Sequence, residues 1–214
     1  MPINGPINDP TQITIDGKEI SHVTKFKYLG STFTSKGDLE TEINLRIAKA
    51  SIAFSELKNV WSKKSIQMDT KFKLYNAIVI STLLYGAETW ALRAADEARL
   101  NAFGAKCIRR ILGIKWSDYI PNHELYQKSK QVPIAKTIRK RRIQWFGHIM
   151  RMDDSRITRK MLNWNPKGTA KRGRKKANWL NNVQTDALTL GTDIDHWGET
   201  AKDKKKWRKI LLAL

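Results

Sequence analysis

The sequence holds a single cysteine, Cys107, so an intramolecular disulfide framework is excluded. Its four histidines, His22, His123, His148 and His196, are scattered too widely to supply a structural zinc site. Long apolar runs are also missing. The longest, around Ala77 to Ala91, is broken by Ser81, Thr82, Gly86 and Glu88, and the start MPINGPINDP has no basic segment leading into an apolar one. These absences predict a protein of a reducing compartment, nuclear or cytoplasmic, with no secretory leader and no transmembrane segment. Acid is scarce beside base: 20 Asp and Glu stand against 40 Lys and Arg, a formal net charge of +20. The imbalance is local. Residues 1–100 carry 13 basic and 11 acidic side chains, whereas residues 101–214 carry 27 and 9, which makes the second half the binding half.

That charge is concentrated in Lys136–Met152, KTIRKRRIQWFGHIMRM, a stretch without a single acid. Ile134, Ile138, Trp145, Phe146 and Ile149 recur near helical spacing, which predicts a helix seated on a core with Arg139, Lys140 and Arg142 in water. Ordinary solvated faces mix signs, and a face of one sign points to a polyanionic partner.

Along the chain, residues 1–12 hold three of the six prolines and form an extended leader. Asp16-Gly17 lies between short alternating runs, the signal of a two-residue hairpin, and HVTKFKYLGSTFT follows as a further strand. From Asp38, the N-cap, Leu39, Ile43, Ile47, Ala50, Phe54, Leu57 and Trp61 predict one long amphipathic helix. A second, capped by Asp69, carries Phe72, Tyr75, Ile78, Val79, Leu83, Leu84, Tyr85 and Trp90. It has so little polar face that it is expected at the bundle centre, Leu84 and Tyr85 included. A third spans Ala94–Leu112 and stops at Gly113. Cys107 lies on its apolar stripe, which makes it a structural thiol, not a nucleophile. Shorter helices are predicted at 121–130 and 156–164, Pro133 opens the basic helix, and two more are expected at 178–190 and 196–214. Lys167–Lys176 has six basic residues and two glycines, the composition of a flexible basic loop. The fold class is therefore mainly α: a helical bundle with a short N-terminal β-hairpin unit and a basic helical C-terminal extension. Four regions are expected: a leader and β unit (1–35), a helical bundle (36–113), a basic helical region (114–165), and a basic loop with C-terminal helices (166–214).

The segments FKYLGSTFTSKGDLETEINLRIAKASIAFSELKNVW, KFKLYNAIVISTLLYGAETWAL, LNAFGAKCIRRILGIKW, IRKRRIQWFGHIMRMDDSRI and KRGRKKANWL, in this order, resemble the carboxy-terminal part of a non-LTR retrotransposon reverse transcriptase of the LINE-like kind. The resemblance covers roughly residues 22–190. It implies that the chain starts at the last strands of a polymerase palm, passes through a helical thumb and continues into the basic region behind it. It implies also that the catalytic palm, with its Mg²⁺, lies upstream and outside this chain.

Three lookalikes of chemical sites are better explained otherwise. Asp153-Asp154 in RMDD imitates a polymerase aspartate pair, but it follows the basic helix and more simply ends one helix and caps the next through Asp154 or Ser155. GTAKRGRK, 168–175, has Arg174 and Lys175 where a phosphate-binding loop needs Lys and Ser or Thr. Asp193 and Asp195 beside His196 suit a helix start. No catalytic residue, metal ligand, cofactor or small-molecule substrate is predicted, and this chain alone is expected not to polymerise.

The predicted nucleic-acid-binding residues are Arg139, Lys140, Arg141, Arg142, Trp145, His148, Arg151, Lys171, Arg172, Arg174, Lys175 and Lys176. Lys and Arg neutralise phosphates and release counterions, while Trp145, Phe146, Trp179 and Trp207 are candidates either to stack on unpaired bases or to fill core. The expected partner is RNA, RNA/DNA hybrid or DNA with low sequence specificity. A stand-alone DNA- or RNA-binding module is the alternative, and a peripheral protein of anionic membranes is a third.

Overall fold

The computed structural model describes residues 14–35, 37–162, 164, 177–189 and 194–213. The predicted basic loop, the predicted leader and the acids at 193 and 195 lie outside the described residues or outside their described side chains. As predicted, the described chain is mainly helical with a small β unit at its start.

Two antiparallel hairpins open the fold. Strands β1 (Thr14–Ile15) and β2 (Lys18–Glu19) turn at Asp16-Gly17, whose φ angles of 50° and 73° are those of the primed turn that the sequence signals. The single further strand expected after it is in fact a second hairpin, β3 (Lys25–Tyr28) with β4 (Ser31–Thr34). Its turn was hidden because Leu29 takes the first left-handed position at φ 46° ahead of Gly30. This hairpin is tied down by a buried ion pair inside α1 (Glu40–Glu56). Arg46 donates to Glu42 at 2.7 Å and to the Gly30 carbonyl at 2.7 Å, while Glu42 accepts the Thr32 N–H at 2.8 Å.

Asp38, predicted as the N-cap, accepts hydrogen bonds from the Thr41 backbone and hydroxyl and so holds the helix start, but the N-cap position itself is Leu39 and regular helix begins at Glu40. The predicted long helix breaks at Leu57, and α2 (Lys58–Ser62) turns Trp61 back onto Phe54, ring stacked on ring at 5.0 Å. Asp69 does not cap α3 (Met68–Leu74). It sits inside the first turn and pairs with Lys73 one turn on. The helix then widens into a π-helical segment, Tyr75–Ile80, before α4 (Ser81–Leu83).

The first core gathers Ile43, Phe54, Phe72, Val79, Leu83, Leu84, Leu100, Ile108 and Ile111, and reaches Ile134 and Ile138. Leu84 is fully buried, but Tyr85 is not the core residue expected: it is 53% exposed. Gly86, at φ 72°, ends the helix there and turns the chain outward. Tyr85 instead covers the hairpin, donating to the Leu29 carbonyl with the Arg46 guanidinium 4.6 Å from its ring centre. Helix α5 (Ala94–Leu112) runs as predicted and stops at Gly113, φ 71°. Cys107 is buried on it, and burial pushes its thiol pKa up to about 12, which fits a structural thiol.

After α6 (Asn122–Ser129), helix α7 (Ile134–Met150) begins behind Pro133, with its Ala135 N–H taken by the Asn101 side chain of α5. A short α8 (Ile157–Leu162) follows, then α9 (Trp179–Thr189). The last predicted helix is two, α10 (Ile194–Lys202) and α11 (Lys204–Ala213), because Asp203 breaks the first and accepts the Lys205 and Lys206 N–H groups of the second. These helices enclose a second core of Ile143, Phe146, Val183, Ala187, Trp197, Ala201 and Trp207. Helix α7 thus belongs to both cores. Its N-terminal half closes the first and its C-terminal half opens the second.

Candidate nucleic-acid interface

Consecutive residues of an α-helix are turned by about 100°, so a run such as RKRRIQWFGH distributes its charges all round α7. Two faces result, and they do opposite things. On one, Arg142 lies on the apolar stripe, a turn beyond Ile138, and is only 1% exposed. It donates through Nε and Nη2 to Asp186 of α9 at 2.9 and 2.7 Å. Arg139 brings its Nε to 2.8 Å from the other Asp186 oxygen, near enough for an ion pair though misaligned for a hydrogen bond. The expectation that Arg139 and Arg142 stay in water is therefore corrected. Helical phase, not charge, placed them toward the second core, where Asp186 compensates them. Burial pushes the Asp186 pKa above the ordinary carboxylate value, against the opposing pull of Arg142 and Arg139.

On the opposite face, Arg141, Gln144, Trp145, His148 and Arg151 line an open groove of about 480 Å³ whose far wall carries Glu88. That wall is the segment that leaves α4, and three side chains hold it by its carbonyls. Arg141 donates to Leu84 at 2.8 Å, Trp179 Nε1 to Glu88 at 2.7 Å and Asn182 to Leu92 at 3.2 Å. At the other end Arg151 donates to the Ala201 carbonyl of α10 at 2.7 Å. Each groove arginine is thus braced by one guanidinium nitrogen.

Trp145 was expected in the core stripe. It is only partly buried, because the buried side of α7 rotates between Ile138 and Ile143 as the helix passes from the first core to the second. Its ring lies 5.2 Å from that of His148, tilted by 41°. Phe146 and Trp207 are core, packed at 6.0 Å, and Trp179 is spent on Glu88. Lys140 is exposed and makes no ion pair among the described residues. Lys171, Arg172, Arg174, Lys175 and Lys176 lie outside the described residues, but Trp179 follows them closely in sequence and is docked on the groove wall.

The buried clamp on Asp186 had no signal in the sequence, since Asp186 is 44 residues from Arg142. Gln144 and Glu88 were also missed. Gln144 was legible in principle, three residues from Arg141 and four from His148 on one helical face.

Asp153 and Asp154 each have a local partner. Asp153 accepts the Ser155 N–H at 2.8 Å, and hydrogen bonds from the Ser155 hydroxyl and then its backbone lower the Asp153 pKa, while Asp154 pairs with Arg159 at 3.1 Å. Asp153 thus holds a turn ahead of α8, its Oδ1 taking the Ser155 N–H and its carbonyl the Arg156 N–H. Among the described residues no group of three His, Cys, Asp or Glu could hold a metal ion, and no helix is long and apolar enough to cross a membrane.

No protein-family model matches the chain, and no solved structure does. An uncharacterised transposon-derived protein of Caenorhabditis elegans is 26% identical over 201 residues, which take in 90% of this chain and 72% of that protein. The RNA-directed DNA polymerase of the mobile element jockey from Drosophila funebris is 27% identical over 118 residues, 51% of this chain but 12% of the polymerase. These likenesses give the chain a transposon-related origin.

Proposed function

We propose that this chain is the thumb-like, carboxy-terminal nucleic-acid-binding part of a non-LTR retrotransposon RNA-directed DNA polymerase. It grips template and primer through their phosphates and contributes no catalytic carboxylate. The observation that carries this reading is the groove on α7. Two braced arginines, a histidine and an indole face outward together there, from a stretch without an acid. Each arginine keeps guanidinium N–H groups beyond the one spent on its brace, the donor type best suited to phosphate. Recognition of this kind reads backbone and shape, not base sequence. The likeness to the jockey polymerase supports the parent enzyme; that protein is far longer than the matched part, so activity would belong to the rest of it.

The test is a salt titration of binding to an RNA/DNA hybrid. Log affinity should fall linearly with log salt, and Lys140→Gln with Arg151→Gln should flatten the slope by about 2. Unchanged slope and affinity in the double variant, or tight binding to anionic vesicles and none to nucleic acid, would sink the proposal. The chain by itself should extend no primer with Mg²⁺ or Mn²⁺.

A second reading, a stand-alone binding module kept from an element, is favoured by one observation. The nematode relative matches over 72% of its own length, so it has little room for a polymerase. Sequencing of the DNA upstream separates the two: an open frame with paired aspartates favours the enzyme part, stop codons the module.

A further inference from the structure

The α7 groove has more in it than a phosphate track needs. Glu88 lies in its wall, and a carboxylate repels phosphate. Trp145 is half-buried in the groove floor, and the His148 ring lies 5.2 Å from it at a tilt of 41°, not stacked parallel on it. Arg141 and Arg151 stand ten residues apart at the two ends, a span of about 15 Å at 1.5 Å per residue. Cationic ends with an aromatic and hydrogen-bonding middle are the layout of a strand site in which a base is stacked between phosphate contacts. Glu88 and Gln144 then face a base edge, where a carboxylate accepts from amino groups. A paired duplex cannot use such a middle, because its bases are already stacked on one another.

We infer that this groove binds an unpaired stretch of RNA or DNA, with one base laid on Trp145 and the flanking phosphates held by Arg141 and Arg151. The inference rests on the nucleic-acid reading above and narrows it, from backbone grip in general to a single-strand site on one face of α7. The span between the arginines exceeds what a lone nucleotide fills, so the ligand is a strand.

The experiment compares the whole chain with its Trp145→Leu and Trp145→Phe variants. Fluorescence anisotropy would be read on a single-stranded 20-mer and on the blunt duplex of the same sequence, with a mononucleotide as competitor. Trp145→Leu is expected to weaken the single strand by about tenfold, as loss of one stacked base does, and to weaken the duplex by clearly less. Trp145→Phe should retain most of the binding. Undiminished single-strand affinity in Trp145→Leu, or an equal loss on strand and duplex, would overturn the inference while leaving duplex binding, and so the broader function, standing. Competition by the mononucleotide as tight as that of the strand would also overturn it, making the groove a nucleotide pocket. Failure of the unaltered chain to bind either ligand would remove the broader function with it.

Discussion

One basic run on one helix has two fates in this molecule. Arg139 and Arg142 turn toward α9 and spend their charge on Asp186, whereas Arg141 and Arg151 turn the other way and reach a groove open to solvent. Composition treats the four as equivalent, and the helical turn does not. A buried guanidinium is costly unless a carboxylate meets it, so Asp186 is a condition of folding for that face. On the groove face the partners are backbone carbonyls, which hold each side chain in place but leave its charge uncancelled. Counting cations in a basic stretch therefore overstates its binding surface, and a wholesale exchange of Arg139–Arg142 would damage the fold together with the interface.

The contrast is broken most directly at Asp186. Asp186→Ala leaves the buried Arg142 guanidinium without its carboxylate, and the loss expected in urea denaturation is about 3–5 kcal/mol. A loss below about 1 kcal/mol would show that the clamp face is as hydrated as the groove face.

Gly147 comes next, since α11 closes on α7 there. A Cβ at this position would run into the Trp207 indole, which is itself core, so Gly147→Ala should cost about 1–3 kcal/mol despite the helix-favouring nature of Ala. A variant as stable as the parent would place α11 farther from α7 than the second core requires.

Arg141→Gln gives up one hydrogen bond to the Leu84 carbonyl, and about 1 kcal/mol is the expected cost. Equal damage from Arg141→Gln and Asp186→Ala, measured side by side, would erase the difference between the two faces.

The smallest effect sharpens the same point for carboxylates. Asp96 and Asp186 are both buried beside arginine. Burial alone would raise Asp96, but hydrogen bonds from the Arg93 side chain and backbone outweigh it and hold its pKa below the ordinary 3.8. Its ionised form is favoured in the folded state, so this stability is present above pH 3.8 and is lost as pH falls through the lowered value. Asp186, raised, has the opposite sign. Acid titration of melting temperature should accordingly be flatter below pH 3.8 in Asp96→Asn than in the parent, and a steeper fall would contradict the assignment.

Local rules carried the reading a long way where a residue's neighbours in sequence are also its neighbours in space. The Asp16-Gly17 turn, the Asp38 end of α1, the Gly113 stop and the buried stripe of α5 all follow from spacing and from conformations that only some residues adopt cheaply. The same rules missed the turn at Leu29, since Leu seldom takes a left-handed backbone and gives no turn signal. They set Tyr85 in the core because the pattern was continued past Gly86. Lys71 gave no sign either that its ammonium would be buried on the Trp61 carbonyl.

By itself, the sequence determined that the chain is helical, strongly basic in its second half, and carries an acid-free helix between Lys136 and Met152. Only the tertiary structure decided which of those cations remain free. The choice depends on where α9 brings Asp186, on the Leu84 carbonyl that the end of α4 presents to Arg141, and on the point along α7 where one core gives way to the next. Each is a contact between residues more than forty positions apart or a change in which side of a helix is buried, and periodicity within the helix holds no information about either.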